Sequence, residues 1–282
     1  MITAGQYDWK MHRFTLYVLL LTLLASCSLP AARSEQRTID SLPDNARRLI
    51  EAYRDQIIGY QDNKIIFWDG TALTFNDHKE RTTEEMHIEQ DIKDIFYQEY
   101  NTDRFPPDYG YDPGRYRSAE FFDKIYGKDY DEVMHNLVCV EWCPSFGAEP
   151  LLFNRKAGAA EALKRVSDEF EKRPDLAHWV IGAQSFNYRT IFGTNRKSPH
   201  SYGIAVDIAV ARSHYWRYNY PYATEYSEFA YLNSIDLEVV EIFERHGFIW
   251  GGRWYHFDTM HFEYRPEMFT RPKTESSEKA SN

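Results

Sequence analysis

The chain has 282 residues, 43% of them hydrophobic and 16% aromatic, long enough to bury one sizeable core with a smaller accessory lobe. Its formal net charge of −10 leaves no clustered excess of Lys and Arg, which excludes nucleic acid as a partner. No Gly-x-Ser-x-Gly, phosphate loop or dinucleotide fingerprint stands out, so nucleotide-dependent and serine-nucleophile chemistries are disfavoured.

At the start of the chain, Lys10 and Arg13 precede an apolar run from Phe14 to Ala25. That run is shorter than the about 20 residues a bilayer span needs, and it fits the apolar region of a signal peptide. It ends Leu24-Ala25-Ser26-Cys27, which resembles a bacterial lipobox. Residues 1–26 are therefore expected to be a lipoprotein signal peptide and 27–45 a tether. Cys27 would be the lipidated first residue of an exported protein held at the membrane only through that lipid, facing the periplasm or cell wall. An ordinary signal peptide with an incidental cysteine is the alternative.

Residues 46–144 read as an N-terminal accessory region. Leu49, Ile50, Tyr53 and Ile57 predict a helix over 46–60. Two β-rich runs, 65–68 and 71–75, flank Asp69-Gly70 and predict a hairpin with a type I′ turn. The charged stretch 76–100 should be partly helical, the Pro- and Gly-rich stretch 101–115 a loop, and 117–126 a short helix stopped by Gly127. The run 137–142 reads as a strand. On it Cys139 and Cys143 would stand about 13 Å apart, beyond the about 7 Å a disulfide allows, so two buried free thiols are expected.

Residues 145–270 read as the catalytic domain. Ala159, Leu163, Val166 and Phe170 share one face of a helix over 157–172, and 179–181 suggests a short strand. From Gly203 to Val210 the pattern alternates. Ile204, Val206, Ile208 and Val210 point one way; Ala205, Asp207 and Ala209 point the other. A helix over 235–246, ended by Gly247, precedes a predicted strand 248–250, a Gly251-Gly252 turn and a strand 254–264. Residues 271–282 have the composition of a disordered tail. The order implies an α+β fold, a small antiparallel sheet with packed helices.

Two segments carry the chemistry: Ser198-Pro-His200-Ser-Tyr-Gly203-Ile-Ala205-Val-Asp207, and Asp258-Thr-Met-His261-Phe-Glu263. Two histidines and one carboxylate suffice to hold one zinc ion with a fourth position left for water, and a spare carboxylate can take that water's proton. A single histidine is more often a hydrogen-bonded core residue, so the argument rests on the set. The spare acid is Asp258, whose plain alternative is a turn cap; Glu263, on the strand face of His261, is the rival base or a group that orients that imidazole. His256 is a further imidazole nearby, read as a rim residue. Trp250 and Trp254 are either groove or core.

The spacing Ser-x-His-x-x-Gly-x-Ala-x-Asp followed by Trp-x-x-x-Asp-x-x-His-Phe-Glu resembles the zinc D-alanyl-D-alanine carboxypeptidases and L-alanyl-D-glutamate endopeptidases. These VanY-like enzymes belong to the LAS superfamily, which also holds lysostaphin-type peptidases and the hedgehog domain. The resemblance is tight over 180–267, loose over 145–180 and less specific over 60–140. It implies a LAS/hedgehog-type fold, one zinc held by His200, Asp207 and His261, Asp258 as general base and Arg189 as the group that holds the oxyanion. It further implies a substrate contact at Ser198, beside which Tyr188 and Trp254 are taken as candidate substrate contacts, and the stem or cross-link peptides of peptidoglycan as substrate. Hedgehog keeps zinc in this fold while acting as a ligand, so a zinc-stabilised, non-catalytic wall-binding module is the alternative.

Overall fold

A computed structural model describes residues 42–270; the signal segment, Cys27, most of the tether and the tail from 271 lie outside the described residues. Helix α1 (Asp44–Ala52) buries Leu49 and Ile50 as its spacing requires, but it stops at Ala52 and not at 60. Residues 53–56 turn the chain, and Ile57 opens strand β1 (Ile57–Gln61). One apolar position four residues beyond Tyr53 fits a helix face and a buried strand equally well, which is why the spacing misled. Strands β2 (Lys64–Phe67) and β3 (Ala72–Thr74) complete an antiparallel sheet in the order β1-β2-β3.

The hairpin at 64–74 is present, but its turn differs from the prediction. Of Asp69 and Gly70 only the glycine has positive φ, and the Phe67 N–H bonds the Thr71 carbonyl across a three-residue loop. The two-residue turn with both φ positive, as type I′ demands, lies at Asp62-Asn63 (50° and 62°) between β1 and β2.

The stretch to residue 118 is mostly irregular, with one capped helical turn at Thr83–Met86 and a 3-10 turn at Lys93–Phe96. Helix α2 (Ala119–Tyr126) ends at Gly127 as predicted; α3 (Tyr130–Asn136), N-capped by the Asp129 carboxylate, was not foreseen. Strand β4 (Leu137–Val140) pairs antiparallel with β5 (Leu151–Asn154). Both cysteines are free, but only Cys143 is buried; Cys139 faces solvent.

The site rests on the third sheet, built from β6 (Ala205–Asp207), β7 (Phe248–Trp250) and β8 (His261–Tyr264) in the antiparallel order β6-β8-β7. Helices α4 (Ala159–Phe170) and α5 (Leu237–Arg245) belong to the same core. Ala159, Leu163, Val166 and Phe170 are wholly buried, and Phe243 of α5 stacks on Phe262 of β8 with ring centres 4.0 Å apart. Burying each large apolar side chain stabilises by roughly 1.5–3 kcal/mol, so Leu163→Ala would cost about 2–5 kcal/mol.

Three predicted strands need correction. Residues 177–180 form one helical turn, since a three-residue apolar run carries no period to tell helix from strand. The alternation from Gly203 gives a strand only at 205–207: Ala209 takes a left-handed conformation (φ 48°), and Val210 is turned out to solvent. The strand expected from Trp254 begins at His261, because a turn closed by the His261 N–H on the Asp258 carbonyl (3.2 Å) folds the chain first.

From Asp44 onward the chain forms one compact unit, so the boundary expected near 145 marks no structural break. Buried hydrogen bonds cross it: Tyr53 Oη donates to Glu267 Oε2 (2.6 Å), Tyr100 Oη to Glu244 Oε1 (2.6 Å) and Trp254 Nε1 to the Pro113 carbonyl (2.7 Å). The architecture is mixed α+β, with small antiparallel sheets and several helices, compatible with a peptidase.

Candidate metal centre and cleft

Ser198 starts the first site segment as the N-cap of a 3-10 turn, Pro199–Tyr202; its hydroxyl accepts from the His200 N–H, and Pro199 sits where its missing N–H costs nothing. Gly203 ends the turn with φ +66°, a left-handed conformation that favours glycine, and a Cβ there would press on Leu137 Cδ2 (2.5 Å) and the Asn154 nitrogen (3.3 Å). In β6, Asp207 pairs directly opposite His261 of β8. Register alone therefore brings one carboxylate and one imidazole together. His200 arrives from the turn seven residues earlier.

The three side chains converge. His200 Nε2 lies 3.1 Å from Asp207 Oδ1 and 3.2 Å from His261 Nδ1, and His261 Nδ1 lies 3.0 Å from Asp207 Oδ1. His200 Nδ1 is 2.6 Å from the Ser185 carbonyl, which can only accept, so the proton sits on Nδ1 and Nε2 presents a bare lone pair. His261 turns Nε2 towards the Glu263 carboxylate (3.7 Å), leaving Nδ1 pointed into the cluster. Three lone pairs thus face one another, an arrangement that needs a cation between them. Four-coordinate zinc ligands at about 2.0–2.2 Å lie roughly 3.3–3.5 Å apart, close to the separations here, and two imidazoles with one carboxylate are donors that suit zinc. Without metal, a proton takes that place: burial pulls the His261 imidazole down, but its bonds to Asp207 and Glu263 outweigh this and lift it to about 10.

Two more carboxyls flank His261, Asp258 half-buried and Glu263 fully buried. Asp258 hangs from the turn before β8, where Gly251 lets the chain close in: a Cβ on that glycine would meet the Asp258 carbonyl oxygen at 2.5 Å. Asp258 Oδ1 is shielded from solvent and bonded to nothing. Burial pushes this acid up to about 7, with the His261, His200 and Arg189 charges pulling it down and Asp207 adding to the rise. Glu263, by contrast, is wholly buried and is bonded by Arg117 (Nε to Oε1, 2.7 Å) and Arg265 (Nη1 to Oε1, 3.1 Å). Burial alone would raise it; the two guanidinium groups overcome that and hold it well below the usual carboxylate range.

An open cleft of about 590 Å³ runs over the cluster, lined among others by Arg189, Ser198, Trp254 and Asp258. Arg189 is exposed, bonds the Thr190 carbonyl through Nη1 (3.3 Å) and has no carboxylate partner among the described residues. Trp254 is 5% exposed, its ring 5.9 Å from that of His261. Tyr188 is not a cleft residue: its ring packs edge-on against Tyr130. Trp250 is core. His256 lies at the cleft with Nδ1 bonded to Asp112 Oδ2 (2.6 Å), away from the donor cluster. The sequence reading missed Arg115, Arg117, Arg196 and Tyr215, which also line the cleft. The only hint was the alternation Arg115-Tyr116-Arg117 at the end of a Pro/Gly-rich loop.

Two buried imidazoles and a half-buried carboxylate beneath an open cleft, beside a carboxyl with no partner, define a candidate metallohydrolase. Residues 192–264 match the family model described as D-alanyl-D-alanine carboxypeptidase, a span that holds all three donors and Asp258 and stops short of Tyr188 and Arg189. The match supports a peptidase of that family. No curated protein and no solved structure matched the chain.

Proposed function

We infer that this protein is an exported, lipid-anchored zinc peptidase that hydrolyses the stem or cross-link peptides of peptidoglycan. The observation that carries the reading is the meeting of three lone pairs at His200, Asp207 and His261 next to the unpartnered Asp258 carboxyl. Bound zinc would supply Lewis-acid polarisation and an activated water. Asp258, with a free oxygen and a pKa moved towards neutrality, accepts a proton as the carbonyl is attacked and passes it to the departing amine. Arg189 keeps a permanent positive charge in the cleft for the carbonyl oxygen. Ser185 and Glu263 fix the two imidazoles so that their lone pairs face the ion.

The wall-binding alternative gains nothing from Asp258. A buried carboxyl without a hydrogen bond costs stability, and a module that only binds has no use for it. The family match supports D-Ala-containing peptides as the substrate class; the Cys27 anchor and export rest on the leader sequence. Mass spectrometry of defined muropeptides, incubated with the zinc-loaded protein with and without chelator, tests the reading. Chelator-sensitive loss of a terminal D-Ala marks a carboxypeptidase, and a cut cross-link or released L-Ala marks an endopeptidase. No product from protein holding one zinc per chain contradicts it.

A further inference from the structure

One wall of the cleft is built from arginines, and they are not equivalent. Arg115 is bonded to Asp112 (2.9 Å) and Glu225 (3.0 Å), and Arg117 is clamped on Glu263. Arg196 has no carboxylate partner among the described residues. Its Nε and Nη1 are shielded from solvent and bond nothing. The guanidinium nevertheless belongs to an ordered hairpin: Thr190 bridges Lys197, the Ile191 N–H bonds the Arg196 carbonyl (2.8 Å), and the Arg196 N–H bonds Thr194 Oγ1 (3.2 Å). The same hairpin carries Arg189 just before its first arm, with the Ser198 N–H on the Arg189 carbonyl (3.0 Å).

A guanidinium offers five N–H donors; Nε and Nη1 carry three of them, and leaving these dry and unbonded is costly unless a ligand completes the group. Burial and the like charges of Arg117 and Arg115 pull Arg196 down to about 10, so it stays charged at neutral pH and an arriving anion relieves both penalties. We propose that Arg196 is the specificity-determining anion subsite of this cleft, holding a carboxylate of the substrate in a forked hydrogen bond. The planar fork matches a carboxylate, and carboxylates are the anions a peptide carries; this last step rests on the peptidase reading. The carboxylate comes either from the chain end or from an acidic side chain.

The test measures binding by calorimetry to zinc-loaded Asp258→Asn protein, so that turnover does not interfere. The probes are an acyl-Lys-D-Ala-D-Ala peptide as free acid and as C-terminal carboxamide, and a peptide ending in D-Glu with its side chain free or amidated. One of the two amidations is expected to weaken binding about 10- to 100-fold and so names the source. Adding Arg196→Gln should bring the acid down to the affinity of its amide and leave the amide unchanged. The same change should raise Tm, because it removes a desolvated, unpaired charge. Equal binding of acids and amides, or loss of both alike in Arg196→Gln, overturns the proposal. Acid preference that depends on Arg196 in a protein that cleaves no peptide leaves the subsite standing and sinks the peptidase reading; cleavage without acid preference does the reverse.

Discussion

Two charged clusters meet at β8, one on each side of His261. Beneath the strand, Arg117, Glu263, Arg265, Glu267 and Tyr53 form a closed ladder in which each carboxylate is bonded by an arginine or a hydroxyl. Above it, His200, Asp207, His261 and Asp258 leave lone pairs facing one another and one carboxyl oxygen with no bond at all. Both clusters are rich in buried charge, so burial and charge do not single out a site. The distinguishing property is what each leaves open: in the ladder every carboxylate is bonded and the one orphan is a donor, Arg265 Nη2, which offers a cation nothing, whereas the upper cluster is a set of acceptors without a donor. Glu263 and Asp258 show the difference in one pair of acids, the first held low by two guanidinium groups, the second raised to about 7 by burial.

Substitutions can break this contrast in order of effect. Removing an upper donor with His261→Ala should release the metal and drop turnover to background. Asp258→Asn should lower kcat by about 10²–10⁴ while the metal stays; full activity would move the base elsewhere. In metal-free protein the raised Asp258 pKa has a thermodynamic signature. Its contribution to stability is fully present below the unfolded value near 3.8 and is lost as pH rises through about 7. Across pH 4–7 Asp258 therefore pulls Tm down as pH rises, against the opposite pull of His87, which burial holds down to about 4; Asp258→Asn should remove the falling contribution and tilt the Tm–pH slope upward relative to the parent protein. Arg189→Met should cost about 10²–10³ in kcat with little change in metal content. Glu263→Gln attacks the ladder: it strands Arg117, while Arg265 keeps Glu267, costs about 3–5 kcal/mol on thermal unfolding, and weakens metal binding about 10- to 100-fold through His261. Tyr188→Ala, outside the cleft, should leave kinetics within about two-fold; a larger loss would return it to the substrate path.

Much of the upper cluster was legible in the chain. The alternation around Asp207 put that carboxylate opposite a buried apolar row, and His261 was read on a strand of its own; that the two strands pair, with Asp207 opposite His261, came only from the structure. The lower ladder and the arginine wall were not. They join residues as far apart as Tyr53, Arg117, Glu263 and Glu267, and in one sequence a buried arginine looks no different from a solvated one. Local misreadings came from short runs without a period: Ile57 in β1 and Trp179 in a helical turn. The turn at Asp258 was taken for continuous strand, although it is this turn that sets the acid beside the metal donors.

The division of labour between Asp207 and Asp258 decides how this site works. Zinc per chain, measured by inductively coupled plasma mass spectrometry on the isosteric variants Asp207→Asn and Asp258→Asn after equal dialysis, decides it directly. The geometry predicts close to no zinc in Asp207→Asn and one per chain in Asp258→Asn, with both inactive. Full zinc in the first, or loss of zinc in the second, would contradict the division of these acids into ligand and base.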